Sequence, residues 1–375
     1  MIDLAVKSLL YDKLKFAITV AGVAFAVALV LVQVGLFLGI MDNSTVTIQH
    51  ISADLWVTSK NTPNIDFAHA FPESYVNRVR TVPGVERADN LIVWFAQLSL
   101  PSGAQEATEI YALEDFSRWN IPWSVSHGQL SDLRRGNYIM MDESAKKRYG
   151  PFNVGEYREL NDTRVKIIGK TNDVRSFTTT PVSFADYRLM QSLLPQILKN
   201  RTTYMLVKVA PGADVEQVRA EIQRRLPFND VHTKQEWSDR SRNYWIRNTG
   251  LGLNIFVTVF LGCLVGIVVV AQTLYSSTME HIKEFGTVKA IGGSNFDIYA
   301  ILGKQATIAA VCGYAVGAVM AFAARPGVGA IDLKLIIPGA LLGWTFVGAL
   351  VMCLAAAMIS FKKVASIDPA LVFRG

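Results

Sequence analysis

The chain has 375 residues, of which 51% are hydrophobic and 18% charged, and its formal net charge is +6. Residues 42–247 contain 26 basic and 24 acidic side chains, and the remainder contains 11 and 7, so no part carries the concentrated positive charge of a nucleic-acid-binding protein. Cys263, Cys312 and Cys353 are the only cysteines, and their wide spacing predicts neither a disulfide nor a metal site.

Four long segments contain no Asp, Glu, Lys, Arg or His. Each is long enough for the roughly 20 apolar residues that cross a hydrocarbon core as a helix. The first is longer than the apolar core of a cleavable signal peptide, which predicts that it is retained as an anchor. The transmembrane helices are therefore predicted at residues 16–41, 248–279, 305–324 and 335–361, with an amphipathic cytoplasmic helix at residues 1–15.

Basic residues beside the spans predict the orientation, because Lys and Arg are retained on the cytoplasmic side. Two basic residues, Arg325 and Lys334, flank the short loop at residues 325–334, which is predicted to be periplasmic. Both termini and the loop at residues 280–304 are then cytoplasmic, as is the tail at residues 362–375. The nine basic residues on that side are Lys7, Lys13, Lys15, Lys283, Lys289, Lys304, Lys362, Lys363 and Arg374.

The long polar segment at residues 42–247 is predicted to be a periplasmic α+β domain. Strand patterns at residues 53–59 and 204–210 are each followed by a helical pattern, and Asp214 is placed to cap the second helix. Two such units at opposite ends predict a split αβ subdomain, with residues of about 102–200 inserted as a second lobe. The aromatic residues of that lobe are interpreted as its core, with a partner surface as the alternative: Trp119, Trp123, Tyr138, Tyr149, Phe152 and Tyr157.

A basic and aromatic stretch precedes the second span and is interpreted as an anchor at the membrane interface, with a substrate site as the alternative. It consists of Trp237, Arg240, Arg242, Tyr244, Trp245 and Arg247.

Motifs for catalysis are absent from the sequence. It contains no phosphate-binding loop, no nucleophile elbow and no paired His or Cys motif, so no catalytic residue and no ATPase activity of its own are predicted. The spans contain no Asp, Glu, Lys, Arg or His, which also argues against transport driven by an ion gradient. Any work must then be driven from outside the membrane plane or by another subunit.

Each span contains two glycines separated by three residues. Such pairs make a flat helix surface on which another helix can approach closely, within one chain or between two chains. The predicted packing residues are Gly35, Gly39, Gly262, Gly266, Gly313, Gly317, Gly339 and Gly343.

The segment after the second span is amphipathic and rich in charge, and it is predicted to form a docking element for a cytoplasmic protein. A continuous helix over residues 250–290 would be about 60 Å long, which exceeds the bilayer core and requires that it protrude or bend. Gly292 and Gly293 end this helix, and Ser294 or Asn295 is placed to cap the next one.

At this point the chain resembles the FtsX/MacB-type (type VII) permeases of ABC transporters. Residues 281–292 (HIKEFGTVKAIG) are similar to the family's R-x-x-E-x-G-x-L-K-A-x-G loop, with His281 where Arg is usual. Residues 365–374 (ASIDPALVFR) are similar to its closing A-x-x-x-P-x-x-x-L/F-R pattern. The arrangement of one span, a large outer domain and three further spans is similar as well, and within the family it most resembles the DevC type, which has no fused ATPase domain.

The resemblance implies that residues 280–292 form a coupling helix that docks on a separate ATPase subunit. By position, Phe285 would be the apolar contact, and the C-terminal tail would brace the same interface. The implied coupling residues are Glu280, Lys283, Glu284, Phe285, Gly286, Lys289, Ala290 and Gly292, and the implied tail residues are Asp368, Pro369 and Arg374.

The resemblance also implies partners and a location in the bacterial inner membrane. The chain would form a homodimer with two ATPase subunits, which bind ATP and Mg²⁺, and would contact a periplasmic adaptor and, through it, an outer-membrane channel. The predicted function is mechanical transmission that exports a lipid, glycolipid, peptide or drug-like molecule. The alternatives are a permease that extracts lipoproteins, a regulator of a cell-wall hydrolase that transports nothing, and a membrane scaffold unrelated to ABC transporters.

Overall fold

The computed structural model describes residues 12–172, 174, 176, 180–280, 287, 294–331 and 333–365. The chain divides into two compact units. Met1–Gly39 and Leu251–Gly375 form one, here called the membrane unit, and Ile40–Gly250 forms the other, called the outer unit after the predicted topology. The predicted helix at residues 1–15 lies largely outside the described residues.

The described helices are α1 (Lys13–Asn43), α2 (Val46–His50), α3 (Tyr75–Arg80), α4 (Lys146–Tyr149), α5 (Tyr187–Leu193), α6 (Pro195–Leu198), α7 (Val215–Arg225), α8 (Lys234–Asn248), α9 (Leu251–Glu280), α10 (Asn295–Ala323), α11 (Arg325–Ala330) and α12 (Gly339–Ala365). The strands are β1 (Leu55–Ser59), β2 (Phe71–Pro72), β3 (Val85–Ser99), β4 (Gln105–Leu113), β5 (Val125–His127), β6 (Tyr138–Asp142), β7 (Tyr157–Leu160), β8 (Thr163–Thr171), β9 (Val182–Asp186), β10 (Arg201–Thr202), β11 (Tyr204–Val209) and β12 (Asn229–Thr233).

Four helical segments of the described chain are long and apolar enough to cross a membrane: α1, α9, α10 together with α11, and residues 339–359 of α12. The helices differ in length from the charge-free runs because local signals fix their ends. At the start of α10, the Ser294 hydroxyl accepts from the Asp297 backbone N–H and the Asp297 carboxylate accepts from that of Ser294. This capping box confirms the predicted cap and extends the helix ten residues before the hydrophobic run.

The outer unit is built on a ten-stranded sheet in the order β12-β1-β11-β3-β4-β9-β6-β8-β5, with β7 paired to β3 and β8. Strands from opposite ends of the domain are neighbours, since β1 lies between β11 and β12 with Leu55 opposite Val207. Helices α3 and α7 cover one face of these strands, with Val79 and Ile222 buried against them. Asp214 caps α7, as predicted.

The middle of the domain continues this sheet and does not form a separate one. The first half of β3 pairs with β11, and its second half pairs with β4 from Leu91 to Ser99. Strand β9 then adds parallel to β4 and leads to β6, β8 and β5. A single 15-residue strand therefore joins the two parts.

Both faces of the sheet are buried. Alternate residues of β11 point to opposite sides, so that Leu206 packs in one core and Val207 in another. Of the lobe aromatics, Trp119, Tyr149 and Phe152 are buried, which agrees with their interpretation as core; Trp123 and Tyr138 pack partly against the core, and Tyr157 is half exposed.

The basic and aromatic stretch before the second span does not present its tryptophans as an anchor. Trp237 is fully buried in α8 and Trp245 nearly so, which contradicts that part of the interpretation. Trp237, Ser241 and Trp245 are spaced by four residues and share one helix face, which packs on the sheet. Arg240 and Arg247 are exposed, and the Arg240 Nε–H donates to the Thr62 carbonyl at 3.0 Å.

Candidate functional site

The predicted coupling segment begins where α9 ends. Glu280 is the last residue of α9, and its carboxylate forms an ion pair with the Lys15 side chain of α1. Lys15 also pairs with Asp12 at 3.0 Å. This ion pair thus links the start of the first span to the end of the second span, directly before the coupling segment. The other predicted docking residues lie outside the described residues: Lys283, Glu284, Phe285, Gly286, Lys289, Ala290, Gly292, Asp368, Pro369 and Arg374.

Along their length, α1 and α9 are joined by small and hydroxyl residues. The Thr19 hydroxyl donates to Oγ1 of Thr273 at 2.8 Å, which is a hydrogen bond between helices within the apolar unit. A Cβ placed on Gly266 would lie 3.0 Å from Cβ of Ala26, and one on Gly262 would lie 2.9 Å from the Leu29 side chain. These two glycines therefore allow the close approach of α1.

The third span packs on α1 through its own glycine pair. A Cβ on Gly317 would lie 2.6 Å from the Ala24 carbonyl oxygen and 2.8 Å from Cβ of Val27. A Cβ on Gly313 would lie 2.5 Å from Cβ of Val23. Because the nearest atoms belong to backbone and to stiff β-branched side chains, neither position has room for a larger residue.

The remaining glycine pairs differ from each other. The Gly35 carbonyl accepts a hydrogen bond from the Ile336 N–H at 3.1 Å, and Gly39 lies directly against the Lys334 backbone. The segment before α12 thus packs on α1. Gly339 and Gly343, at the start of α12, have open space where a side chain would be. At six of the eight predicted glycines an added Cβ would meet another segment of the described chain, whereas at Gly339 and Gly343 it would not.

An apolar groove lies between α1, α9 and α12. Its volume is about 230 Å³, and Val30, Cys263, Trp344 and Met352 are among its lining residues. Trp344 is 76% exposed at its edge. The Thr345 hydroxyl is the polar group at its wall, and it has no hydrogen-bond partner among the described residues. The groove suits an alkyl chain better than a polar solute.

The outer unit contains a buried carboxyl pair that sequence patterns did not indicate. Glu109, on β4, is fully buried, and Asp66, in the loop after β1, is 7% exposed. Burial raises the pKa of Asp66 to about 6. Burial, and next the neighbouring charge of Asp66, raises the pKa of Glu109 well above its usual value. No described Lys, Arg or His side chain forms an ion pair with either group.

Replacing Glu109 with Gln is expected to stabilise the outer unit at pH 8. The folded protein holds the Glu109 proton to a higher pH than the unfolded chain does, so the contribution of Glu109 to stability is fully present below about pH 4.5 and is lost as the pH rises through the folded pKa. The neutral amide of Gln cannot ionise and so removes this loss of stability. A gain of about 1 kcal/mol or more in the free energy of unfolding would raise Tm by about 2–4 °C. Tryptophan fluorescence measures the change, since six of the seven tryptophans lie in the outer unit.

The matched control is Glu159→Gln, because Glu159 is exposed on β7. It should leave the Tm within about 1 °C of the wild type at every pH. The Glu109→Gln gain should shrink towards pH 5, where the wild-type carboxyl group is itself protonated. Parallel Tm curves for wild type and Glu109→Gln between pH 5 and 8 would show that folding does not raise the pKa of Glu109.

Two family models match the chain and together cover most of it. Residues 16–225 match the MacB-like periplasmic core domain, and residues 256–369 match the FtsX-like permease C-terminal domain. An uncharacterized ABC transporter permease of Mycobacterium tuberculosis is 23% identical over 384 residues, which cover 100% of both chains. One of Methanocaldococcus jannaschii is 22% identical over 237 residues, covering 59% of this chain and 58% of its own.

Among solved structures, the periplasmic region of MacB from Actinobacillus actinomycetemcomitans matches 50% of this chain and 92% of its own, with 13% identity and a TM-score of 0.39. The extracellular domain of the transporter YknZ from Gram-positive bacteria matches 48% and 99%, with 13% identity and a TM-score of 0.38. The first family model alone spans more than half of the chain. The protein therefore belongs to the FtsX/MacB family of ABC transporter permeases.

Proposed function

We propose that the chain is the permease subunit of an ATP-driven exporter that transmits movement from cytoplasmic ATPase subunits to a periplasmic domain. One observation carries the proposal: α1 and α9, the two spans that lead into the outer domain, are packed together and are joined by the Lys15–Glu280 ion pair where the coupling motif begins. A force applied to residues 280–292 would act on both helices at once.

The partners follow from this role. An ATPase dimer would bind ATP and Mg²⁺ and hold the coupling loops of two permease copies, with Asp368, Pro369 and Arg374 supporting the contact. Both termini would be cytoplasmic in the inner membrane. The outer domain would engage a periplasmic adaptor, and through it an outer-membrane channel, to export a lipid, glycolipid, peptide or drug-like molecule. Glycines 339 and 343, which have open space within the chain, are available for contact with the second copy.

A second candidate function is the extraction of lipoproteins from the membrane. The apolar groove between α1, α9 and α12 supports it, since a groove of about 230 Å³ within the membrane unit could accept part of an acyl chain. In that function the substrate would enter between the spans, whereas the first candidate moves its substrate outside the membrane.

Affinity purification of the tagged full-length protein in a mild detergent, followed by mass spectrometry, tests the proposal. We expect an ABC ATPase together with a periplasmic adaptor. An ATPase with a lipoprotein chaperone would favour the second candidate, and an ATPase with a cell-wall hydrolase would favour a regulator. If no ATPase is recovered although the membranes contain the intact protein, all three functions that depend on an ATPase are contradicted.

A further inference from the structure

The outer unit contains a polar cleft that has no role in the proposed transmission of movement. It lies where the ends of β3 and β4 meet the β7–β8 turn and the short helices α5 and α6. Its volume is about 440 Å³, within the roughly 300–1,000 Å³ common for small-molecule sites. The lining combines polar side chains of the strands and turn with an apolar side formed by Leu194, Pro195 and Ile197.

Hydrogen bonds to the backbone hold the polar side of the cleft in place. The β7–β8 turn consists of Asn161 and Asp162, both with positive φ, as in the tight hairpin turns that these residues favour. The Asn161 N–H donates to the Gln97 carbonyl at 2.9 Å, and the Asn161 side-chain oxygen accepts from the Gln97 N–H at 2.8 Å. The turn is therefore fixed to β3, and Asp162 is held at the cleft.

Three further polar side chains share one face of the hairpin formed by β3 and β4. Gln97 and Ser99 are two residues apart on β3, and Gln105 lies directly opposite Ser99 on β4. Gln196 faces them from α6. None of these four side chains, nor Asp162, forms a hydrogen bond to another described residue. Several donors and acceptors thus line one cleft with no partner among the described residues, and all but Ser99 are exposed, so they are accessible to a ligand.

The chemistry of the lining residues limits the class of ligand that the cleft can bind. Three carboxamides and a hydroxyl both donate and accept hydrogen bonds, which suits a ligand with many hydroxyl groups. No Lys, Arg or His lines the cleft, which disfavours phosphate or carboxylate ligands, and the Asp162 carboxylate can accept hydrogen bonds from hydroxyl groups. The aliphatic side would contact the C–H face of a ring.

The usual modes of peptide binding do not fit the cleft. A peptide that adds to a sheet needs a free strand edge, but Ser99 is paired on one side with Gln105 and on the other with Glu159. A proline-rich peptide needs an aromatic groove, and none lines the cleft. The lining therefore fits a compact ligand that is rich in hydroxyl groups.

We propose that this cleft binds a sugar residue through Gln97, Gln105, Gln196 and Asp162, with its apolar side against the ring. Such a site would let the outer domain recognise a carbohydrate-bearing molecule, whether or not the chain couples to an ATPase.

Ligand-observed saturation-transfer NMR on the full-length protein tests this site. The protein is placed in phosphatidylcholine nanodiscs, because many mild detergents carry sugar head groups. The probes are glucose, N-acetylglucosamine and trehalose, with trialanine and inorganic phosphate for comparison. We expect saturable binding of at least one sugar and of neither comparison probe. The double variant Gln97→Ala/Gln105→Ala should weaken that binding by at least about tenfold, because two side chains that donate and accept are lost.

Two further variants separate binding from folding. Asp162→Asn, which keeps a residue that tolerates positive φ, should weaken sugar binding several-fold. Gln217→Ala, on the exposed side of α7, removes a carboxamide elsewhere and should change nothing. Tryptophan fluorescence should give the same Tm for all variants. Absence of saturable sugar binding, binding of trialanine instead, or an unchanged sugar affinity in the double variant would each overturn the proposal.

Discussion

Replacing Phe285 with Asp is expected to leave the permease in the membrane while abolishing its association with the ATPase. In the proposed coupling helix Phe285 is the apolar contact, and a carboxylate buried there without a partner would cost several kcal/mol. A loss of about 3 kcal/mol corresponds to more than a hundredfold in affinity, so the ATPase should no longer co-purify. ATP hydrolysis that depends on the permease should fall to the level of the ATPase alone.

Two variants serve as controls for this change. Phe228→Asp introduces the same chemistry on the outer unit, where Phe228 is 76% exposed, and should leave ATPase association intact. Phe285→Leu keeps an apolar side chain and should retain most of the association. If Phe285→Asp co-purifies with the ATPase and hydrolyses ATP like the wild type, residue 285 is not in the docking surface.

Hydropathy was enough to predict the four spans, because a bilayer leaves a long helix without charges few alternatives. It could not give the helix ends. The capping box at Ser294 starts α10 ten residues before the apolar run, so that Lys304 lies within the helix. Residues 333–338 are not helical, although residues 335–338 belong to the charge-free run that continues into α12. Local hydrogen bonds and proline, rather than hydrophobicity, set these limits.

Burial in the outer unit was harder to predict because it depends on strands that are distant in the chain. Glu109 follows a polar stretch of β4, and only the pairing of β4 with β3 and β9 places it in an interior strand covered on both faces. The burial of the α8 tryptophans was also not predicted. Their position before a span suggested an interface, whereas their spacing on one helix face, which the sequence does contain, matches the packing seen.

The glycine motif shows how far a local pattern extends. The same spacing occurs on all four spans, yet an added Cβ would meet the backbone of α1 at Gly317 and open space at Gly343. The motif predicts a flat helix surface, and the arrangement of the other helices decides what covers it. Contacts within the chain and contacts between copies therefore need separate tests.

Gly317→Ala is expected to destabilise the membrane unit, whereas Gly343→Ala is not. The added carbon at Gly317 would lie 2.6 Å from the Ala24 carbonyl oxygen, so α1 and α10 must move apart. Overpacking of this kind costs about 1–3 kcal/mol, more than the up to about 1 kcal/mol that Ala gains over Gly in a helix. Tm should fall by several degrees. A thiol-reactive dye measures the unfolding of the membrane unit selectively, because all three cysteines lie in that unit and Cys353 is fully buried in the folded state.

The same one-carbon change at Gly343 meets open space, so the thermal stability of the monomeric protein should be unchanged or slightly higher. The effect of Gly343→Ala on dimer formation can then be measured separately from its effect on stability. If Gly343→Ala reduces the dimer fraction in nanodiscs without lowering the Tm, the exposed pair on α12 contacts the second copy; if the dimer is unaffected, that face contacts lipid. Equal Tm values for the two variants would mean that α1 and α10 are not held at the close distance that Gly317 permits.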